Sequence, residues 1–290
     1  MNKEWSGRSS DRPDLADAAY QGARGAFSED AAFALLGPGA SLLPCPTLED
    51  VFAAVAAGRA RSAVVPIENT LAGAVPGCAD LIGRHDVHIV AERVQPIRHA
   101  LIAPPGVTLA AVRRVLSHPV AIAQCEHFFR AHPEIAAVPV FDTAGAVDLV
   151  ISRGDTDAAA IAGRRAAEVY GGTVLADDIQ DRADNLTRFL HLCPGAPPAG
   201  RHAGRKTTIV CVLKNEPGSL VRALSLLSSR GLNLTRIESR PTRETPFEYG
   251  FHLDIGGTSD LAALDGALDT LARESRSLRV LGHYPADAGG

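Results

Sequence analysis

The stretch Cys193-Pro194-Gly195-Ala196-Pro197-Pro198-Ala199-Gly200 constrains this chain more than any other. Clustered proline and glycine without apolar periodicity sustain neither helix nor strand, so a linker is expected over residues 195–205. It divides the 290 residues into a larger unit over 18–194 and a smaller one over 206–286, behind a polar N-terminal tail over 1–17. At roughly 150 residues per domain, that length accommodates two separate cores.

Each unit has its own pattern. In the smaller, apolar runs predict strands over 207–213, 232–239, 247–255 and 278–284, and helical periodicity predicts helices over 218–229 and 259–273. The order β-α-β-β-α-β is the ferredoxin-like arrangement, with the polar stretch from Arg240 to Pro246 as an exposed hairpin loop. In the larger unit, strands are predicted over 62–67, 88–94, 99–103, 136–141, 158–162, near Val174 and over 188–192. Helices are predicted behind Ser28 as N-cap, behind Thr47 through an approximate capping box, and over 108–116, 121–131, 143–152 and 164–170. Such alternation implies α/β layers with mostly parallel strands.

Charge and composition exclude several classes of partner. The 29 basic and 33 acidic residues leave a net charge of -4, and the only lysines are Lys3, Lys206 and Lys214, so no basic stripe suggests nucleic acid or an anionic membrane. No apolar run approaches the ~18 to 20 residues of a spanning helix, and the first 16 residues lack the apolar core of a signal peptide. A cytoplasmic location is the default expectation. Cys45, Cys78, Cys125, Cys193 and Cys211 form an odd set without metal-ligand spacing, which argues against a disulfide framework and structural zinc. Each is read as a small buried side chain, with a nucleophilic Cys125 as the lesser alternative.

Small polar residues recur where predicted strands give way to helices: Gly22 to Ser28, Glu68-Asn69-Thr70, Ser117-His118 and Asp142-Thr143. Such junctions gather backbone N–H groups at the carboxyl edge of a sheet, where anions bind. Singly, Ser28, Ser117 and Thr143 are ordinary N-caps; together they point to a small anion held between two lobes. Gly22 to Ser28 lacks phosphate-loop spacing, so a nucleotide is not supported. Glu68, at a strand end beside Asn69, is either a general acid or, the preferred reading, a loop anchor. His118 stands alone at a helix start, and no histidine pair has metal spacing. In Asn185-Leu186-Thr187-Arg188-Phe189, strand alternation puts Thr187 and Phe189 on one face and Arg188 on the other. A hydroxyl beside an aromatic face suits an uncharged ring bearing a leaving group, although for the triplet alone ordinary strand packing is the preferred reading.

Taken in order, Gly22 to Ser28, Val65-Pro66-Ile67-Glu68-Asn69-Thr70 with Gly73 and Val75, Ser117-His118-Pro119 with Gln124-Cys125, Asp142-Thr143-Ala144, Ile179-Gln180-Asp181, Asn185 to Phe189 and Glu238-Ser239-Arg240-Pro241 carry a resemblance. Residues from about 18 to 285 resemble prephenate dehydratase of the single-activity type, a catalytic domain followed by an ACT regulatory domain. Arg24, Ala26, Val120 and Ser219 depart from the Glu, Thr, Gln and Ala usual there. The resemblance implies an α/β fold: a two-lobed catalytic domain similar to the periplasmic-binding-protein architecture, plus a ferredoxin-like ACT domain. It implies conversion of prephenate to phenylpyruvate without metal or cofactor, in a homodimer or homotetramer inhibited by L-Phe. It also implies roles. Thr187 donates to the leaving hydroxyl, Asn69 and Gln124 orient the substrate, and Ser117, His118, Thr143 and Ala144 present helix-end donors to its carboxylates. Gly25, Glu68, Thr70, Phe189 and Arg188 complete the substrate site, Arg188 either pairing with a carboxylate or standing behind Thr187. L-Phe is expected at Asn215, Gly218, Ser219 and Leu220 together with Glu238, Ser239, Arg240 and Pro241. Arogenate dehydratase and a non-catalytic ACT-linked small-anion sensor are the alternatives. A chain ending near Gly204 is expected to keep catalysis and lose the response to L-Phe if it still assembles.

Overall fold

A computed structural model describes residues 15–198, 204–242, 245 and 248–287. Most of the expected N-terminal tail and the centre of the linker lie outside the described residues.

Lobe one begins with β1 (Ala18–Gln21), α1 (Phe27–Leu36), β2 (Leu42–Cys45), α2 (Leu48–Ala56), β3 (Ala63–Asn69), β4 (Gly73–Ala74), α3 (Cys78–Arg84) and β5 (Val87–Pro96). Lobe two holds β6 (Ala100–Ala103), β7 (Arg114–Ser117), α4 (Pro119–Ala123), α5 (Glu126–Ala131), β8 (Ala136–Pro139), α6 (Thr143–Arg153), β9 (Ala158–Ala162), α7 (Arg164–Tyr170) and β10 (Thr173–Ala176). The chain then returns to lobe one as β11 (Leu186–Pro194). The C-terminal unit comprises β12 (Lys206–Leu213), α8 (Ser219–Ser228), β13 (Leu234–Pro241), β14 (Tyr249–Ile255), α9 (Leu261–Glu274) and β15 (Ser275–Tyr284), the expected β-α-β-β-α-β order. Residues 97–99 and 177–185 are the two crossings between lobes, joined by Ile97 N–H to the Asn185 carbonyl at 2.8 Å and Ile179 N–H to the His99 carbonyl at 2.9 Å.

The sheets are mixed, which corrects the expectation of mostly parallel strands. β1 runs parallel to β2 and β3, and β7 parallel to β8 and β9, but the returning β11 lies antiparallel between β3 and β5. In lobe two, β6 is antiparallel to both β9 and β10. The predicted helix over 108–116 is instead a single 3-10 turn, Leu109–Ala111, followed by β7. Val112, Val115 and Leu116 have helical spacing, yet they are buried in lobe two, where β7 lies between two strands; tertiary burial outweighs a short periodic signal. The expected helix over 121–131 breaks into α4 and α5 at Gln124-Cys125.

Caps moved as well. Thr47 and Asp50 form the capping box, but α1 is capped by Ala26 and Ser28 lies buried inside it. His118 caps α4 through Nδ1, which accepts the Val120 N–H at 3.2 Å, and Asp142 caps α6, so neither Ser117 nor Thr143 is an N-cap. Asp142 also accepts the Ala23 N–H at 2.8 Å, stitching lobe two to the β1–α1 turn. Gly25 belongs to the same seam: its φ is +80°, and a Cβ there would stand 2.8 Å from the Ala166 backbone of α7.

The C-terminal unit is more than tethered. β11 runs on through Cys193 and Pro194, beyond the strand expected over 188–192, and Arg240 and Pro241, expected in a loop, end β13. β15 pairs with β5 at Gly282 and Ile89, so one sheet runs β13-β14-β12-β15-β5-β11-β3-β1-β2 across both units. A Cβ at position 282 would sit 2.3 Å from the Ile89 carbonyl oxygen, which restricts the site to glycine. Leu281 and Tyr284 of β15 join the lobe-one core built from α2, α3 and β3.

His252 of β14 is buried at this junction, 5% exposed. Burial, with help from the Arg236 charge, lowers its pKa to about 4. The unfolded chain, with a histidine pKa of about 6.5, binds this proton more readily, so stability falls as pH drops from about 6.5 towards about 4. The expected loss is on the order of 3 kcal/mol. Urea unfolding at about pH 7 and about pH 4.5 should show a shallower acid loss for His252→Gln than for the parent; equal losses would sink the assignment.

Candidate active site

The site grows from the pairing of β11 with β3. Thr187 is the register partner of Asn69 and Arg188 that of Glu68, and the ladder then shifts by one residue before Phe189. Alternation places Thr187 and Phe189 on the cleft side and Arg188 behind, as the sequence predicts. Phe189 also answers the packing reading: it is 2% exposed and joins a core with Ala18, Ala31, Ala32 and Val64.

The cleft encloses about 540 Å³. Asn69, Gln124, Thr187, Phe189, His118 and Thr143, all expected site residues, line it together. Asn69 Oδ1 accepts the Leu71 and Ala72 N–H groups at 2.9 and 2.8 Å. Its Nδ2 faces Asn185 Oδ1 at 2.8 Å, the Leu186 carbonyl at 3.1 Å and Thr187 Oγ1 at 2.9 Å. Gln124 Oε1 in turn accepts Asn185 Nδ2 at 3.0 Å and faces His99 Nε2 at 2.9 Å. Because Thr187 Oγ1 accepts from Asn69, its own hydrogen is free to donate to another group. No Asp, Glu, Lys or Arg lines the cleft among the described residues, so a bound anion would meet amide, hydroxyl and imidazole groups.

Six expected substrate residues lie outside it, each for a physical reason. Ser117 is fully buried and donates to the Ile161 carbonyl at 2.6 Å. Ala144 is fully buried in the lobe-two core. Gly25 spends its N–H on Glu29 Oε2 at 2.7 Å. Thr70 Oγ1 donates to the Asp184 carbonyl and accepts the Leu186 N–H, both at 2.9 Å, locking the second crossing to β3. Glu68 is expected to anchor a loop; instead it pairs with Arg188 of β11 at 2.7 Å and Arg236 of β13 at 3.4 Å, two strand residues on the opposite face of the sheet. Arg188 is accordingly a supporting residue, reaching Glu92 at 3.0 Å and Asp254 of β14 at 2.6 Å. Burial opposes its charge, but the Asp254 and Glu68 carboxylates outweigh that cost and its pKa is raised. Cys125 is fully buried and its thiol is pushed up to about 12 by burial, which removes it as a nucleophile.

Sequence reasoning missed Gln21, Ile97 and His99 in the cleft wall, assigned Ser28 only as a cap, and gave Asn185 no role. His99 was legible only as the start of a strand, since its crossing segment carries no periodic signal. The expected effector residues divide. Asn215, Ser219 and Leu220 line a pocket of about 150 Å³ beside Tyr249, at the start of α8, which Gly218 caps with φ +83°. Arg240 and Pro241 line a separate groove against α3, and Glu238 is held by Arg236 and Arg240. Ser239 is exposed on β13 and lines neither. Among the described residues no pocket takes both sets, but Glu248 lines the two and makes them neighbours.

Fold and site together define a two-lobed α/β small-molecule domain fused to a ferredoxin-like domain. Residues 18–196 match the prephenate dehydratase family and residues 207–273 the ACT domain, and the chain belongs to the prephenate dehydratase family. It is 41% identical to "Arogenate dehydratase/prephenate dehydratase 2, chloroplastic" of Arabidopsis thaliana, over 93% of this chain and 72% of the relative. It is 37% identical to the bifunctional chorismate mutase/prephenate dehydratase of Aquifex aeolicus (strain VF5), over 92% and 73%. Among solved structures, the prephenate dehydratase of Arthrobacter aurescens in complex with L-Phe superposes with a TM-score of 0.82 at 36% identity, covering 92% of this chain and 90% of that one. A protein described as GqqA, a novel type of quorum quenching acylase, reaches 0.84 at 36% identity, covering 93% and 98%.

Proposed function

We propose that this protein converts prephenate to phenylpyruvate and that L-Phe, bound by the C-terminal domain of a homodimer or homotetramer, inhibits it. The observation that carries the reading is the Thr187 hydroxyl, which lines the cleft with Phe189 and accepts from Asn69, leaving its hydrogen free to donate. In the reaction the ring carboxylate leaves as carbon dioxide, its bonding pair enters the ring, and the ring hydroxyl departs with a proton as water. Aromatisation drives the step, and the protein's part is to hold an anion and stabilise the departing oxygen with aimed donors. Gln124 directs its amide at the substrate, while Thr143 stands at the N-terminus of α6, where N–H groups favour carboxylate.

The test is a side-by-side assay of the purified protein with prephenate and arogenate. Prephenate is expected to have the higher kcat/KM; the reverse ratio would assign arogenate, and turnover of neither would leave a small-anion sensor. L-Phe binding to the full chain should be measurable by calorimetry, and its coupling to substrate should be ~1 to 3 kcal/mol, roughly a 5- to 150-fold change in affinity. Absence of a binding heat would overturn the regulatory half.

A further inference from the structure

The polarity of the amide chain in the cleft is dictated from one end. Backbone N–H groups only donate, so the Asn69 atom that meets Leu71 and Ala72 is its carbonyl oxygen. That turns Asn69 Nδ2 toward Asn185 Oδ1, which turns Asn185 Nδ2 toward Gln124 Oε1. An oxygen placed 2.9 Å from His99 Nε2 requires the proton to be on Nε2. His99 is 2% exposed, and burial holds its pKa below the ordinary value, so the ring is neutral. Its Nδ1 then carries a bare lone pair, and it has no hydrogen-bond partner among the described residues.

The residues of this chain come from different bodies. Asn69 and Thr187 belong to lobe one, Gln124 ends α4 in lobe two, and His99 and Asn185 lie one in each crossing. The ring of His99 is held edge-on by Phe27 of α1, at 5.6 Å between centroids and 77° between planes, and its backbone N–H is taken by Gln180 Oε1 at 2.7 Å. It is thus fixed to lobe one and to the second crossing, while its one side-chain hydrogen bond reaches lobe two.

We propose that His99 is the positioning residue for Gln124: its Nε2–H holds the Gln124 carbonyl oxygen, so that the amide NH2 is presented to an anionic oxygen of the substrate. Asn185 supplies the second donor to the Gln124 carbonyl oxygen, and the two bonds together leave the side-chain amide one orientation. A histidine retained only for packing would leave Gln124 indifferent to its loss. The inference rests on the cleft being the substrate site, and the two are tested by different measurements: turnover by the parent enzyme reports on the cleft, and a double-mutant cycle reports on His99.

The cycle uses His99→Phe, Gln124→Ala and their combination, assayed with whichever of prephenate and arogenate the parent turns over. His99→Phe keeps an aromatic ring against Phe27 and removes the donor. It is expected to raise KM about tenfold with kcat within about threefold, because one hydrogen bond to the orienting amide is lost and not a donor to the leaving group. His99→Gln returns an N–H and should bring KM back to within about threefold of the parent. In the Gln124→Ala background, His99→Phe should change KM by less than about twofold. Should His99→Phe fail to fold, His99→Asn, whose amide is too short to reach Gln124, serves in its place. Additive losses in the combined variant, or a folded His99→Gln no better than His99→Phe, would overturn the proposal.

Discussion

Thr187→Val is expected to lower kcat by ~10²- to 10³-fold, roughly 2.7 to 4 kcal/mol of transition-state stabilisation, with little change in KM. Valine has nearly the shape of threonine but no hydroxyl, so the loss isolates the donor aimed at the departing oxygen. Asn69 keeps its contacts to Asn185 Oδ1 and the Leu186 carbonyl after the change, so the loop it organises should hold. Thr187→Ser retains the hydroxyl and should retain most of the activity. Steady-state kinetics at saturating substrate decides the matter; a Val variant as fast as the parent ends the donor role.

Arg188→Met is expected to destabilise the fold by ~3 to 5 kcal/mol, because it strands buried carboxylates that the guanidinium now pairs. Glu92 and Asp254 are among the buried residues, and Arg188 bridges them from 3.0 and 2.6 Å. For a chain of this size that corresponds to a Tm lower by roughly 10 °C. Lys206, 2.7 Å from Glu92, still compensates that carboxylate, whereas Asp254 is left with its bond from Thr208 and the more distant charge of Arg236. Adding Asp254→Asn should therefore recover part of the loss, since the two positions share one interaction. Thermal melts of the single and double variants measure both effects, and a single variant melting with the parent would show that the network contributes nothing. The same contacts bear on the expectation that a chain ending near Gly204, if it still assembles, keeps catalysis. Removing that part takes Asp254 from Arg188, Lys206 from Glu92, and β15 from the lobe-one core, so truncation disturbs the strand that carries Thr187.

How much was legible depended on the range of the interaction. The capping box at Thr47, the alternation of Thr187, Arg188 and Phe189, and the β-α-β-β-α-β order rest on neighbours a few residues apart, and the structure has all of them. The helix expected over 108–116 failed because the spacing of Val112, Val115 and Leu116 suits a helix as well as it suits burial in a sheet. Placement of site residues failed in the same way. Ser117, Thr70 and Gly25 have the right chemistry in the right motifs, but their polar groups are consumed by Ile161, Asp184 and Glu29. No local pattern records which partner a donor will meet across more than a hundred residues, as at Thr70.

The sequence by itself determined the two units, the elements of the smaller one, the face on which Thr187 stands and, through its ordered motifs, the family. These follow from backbone sterics, side-chain period and residue type, which act locally and survive without knowledge of the fold. Only the tertiary structure decided that β11 returns between β3 and β5, that Glu68 and Arg188 face the C-terminal unit instead of the substrate, and that His99 and Gln124 meet across the crossings. Each of those is a contact between segments distant in the chain, where burial and hydrogen-bond satisfaction choose among partners that the local chemistry leaves equivalent.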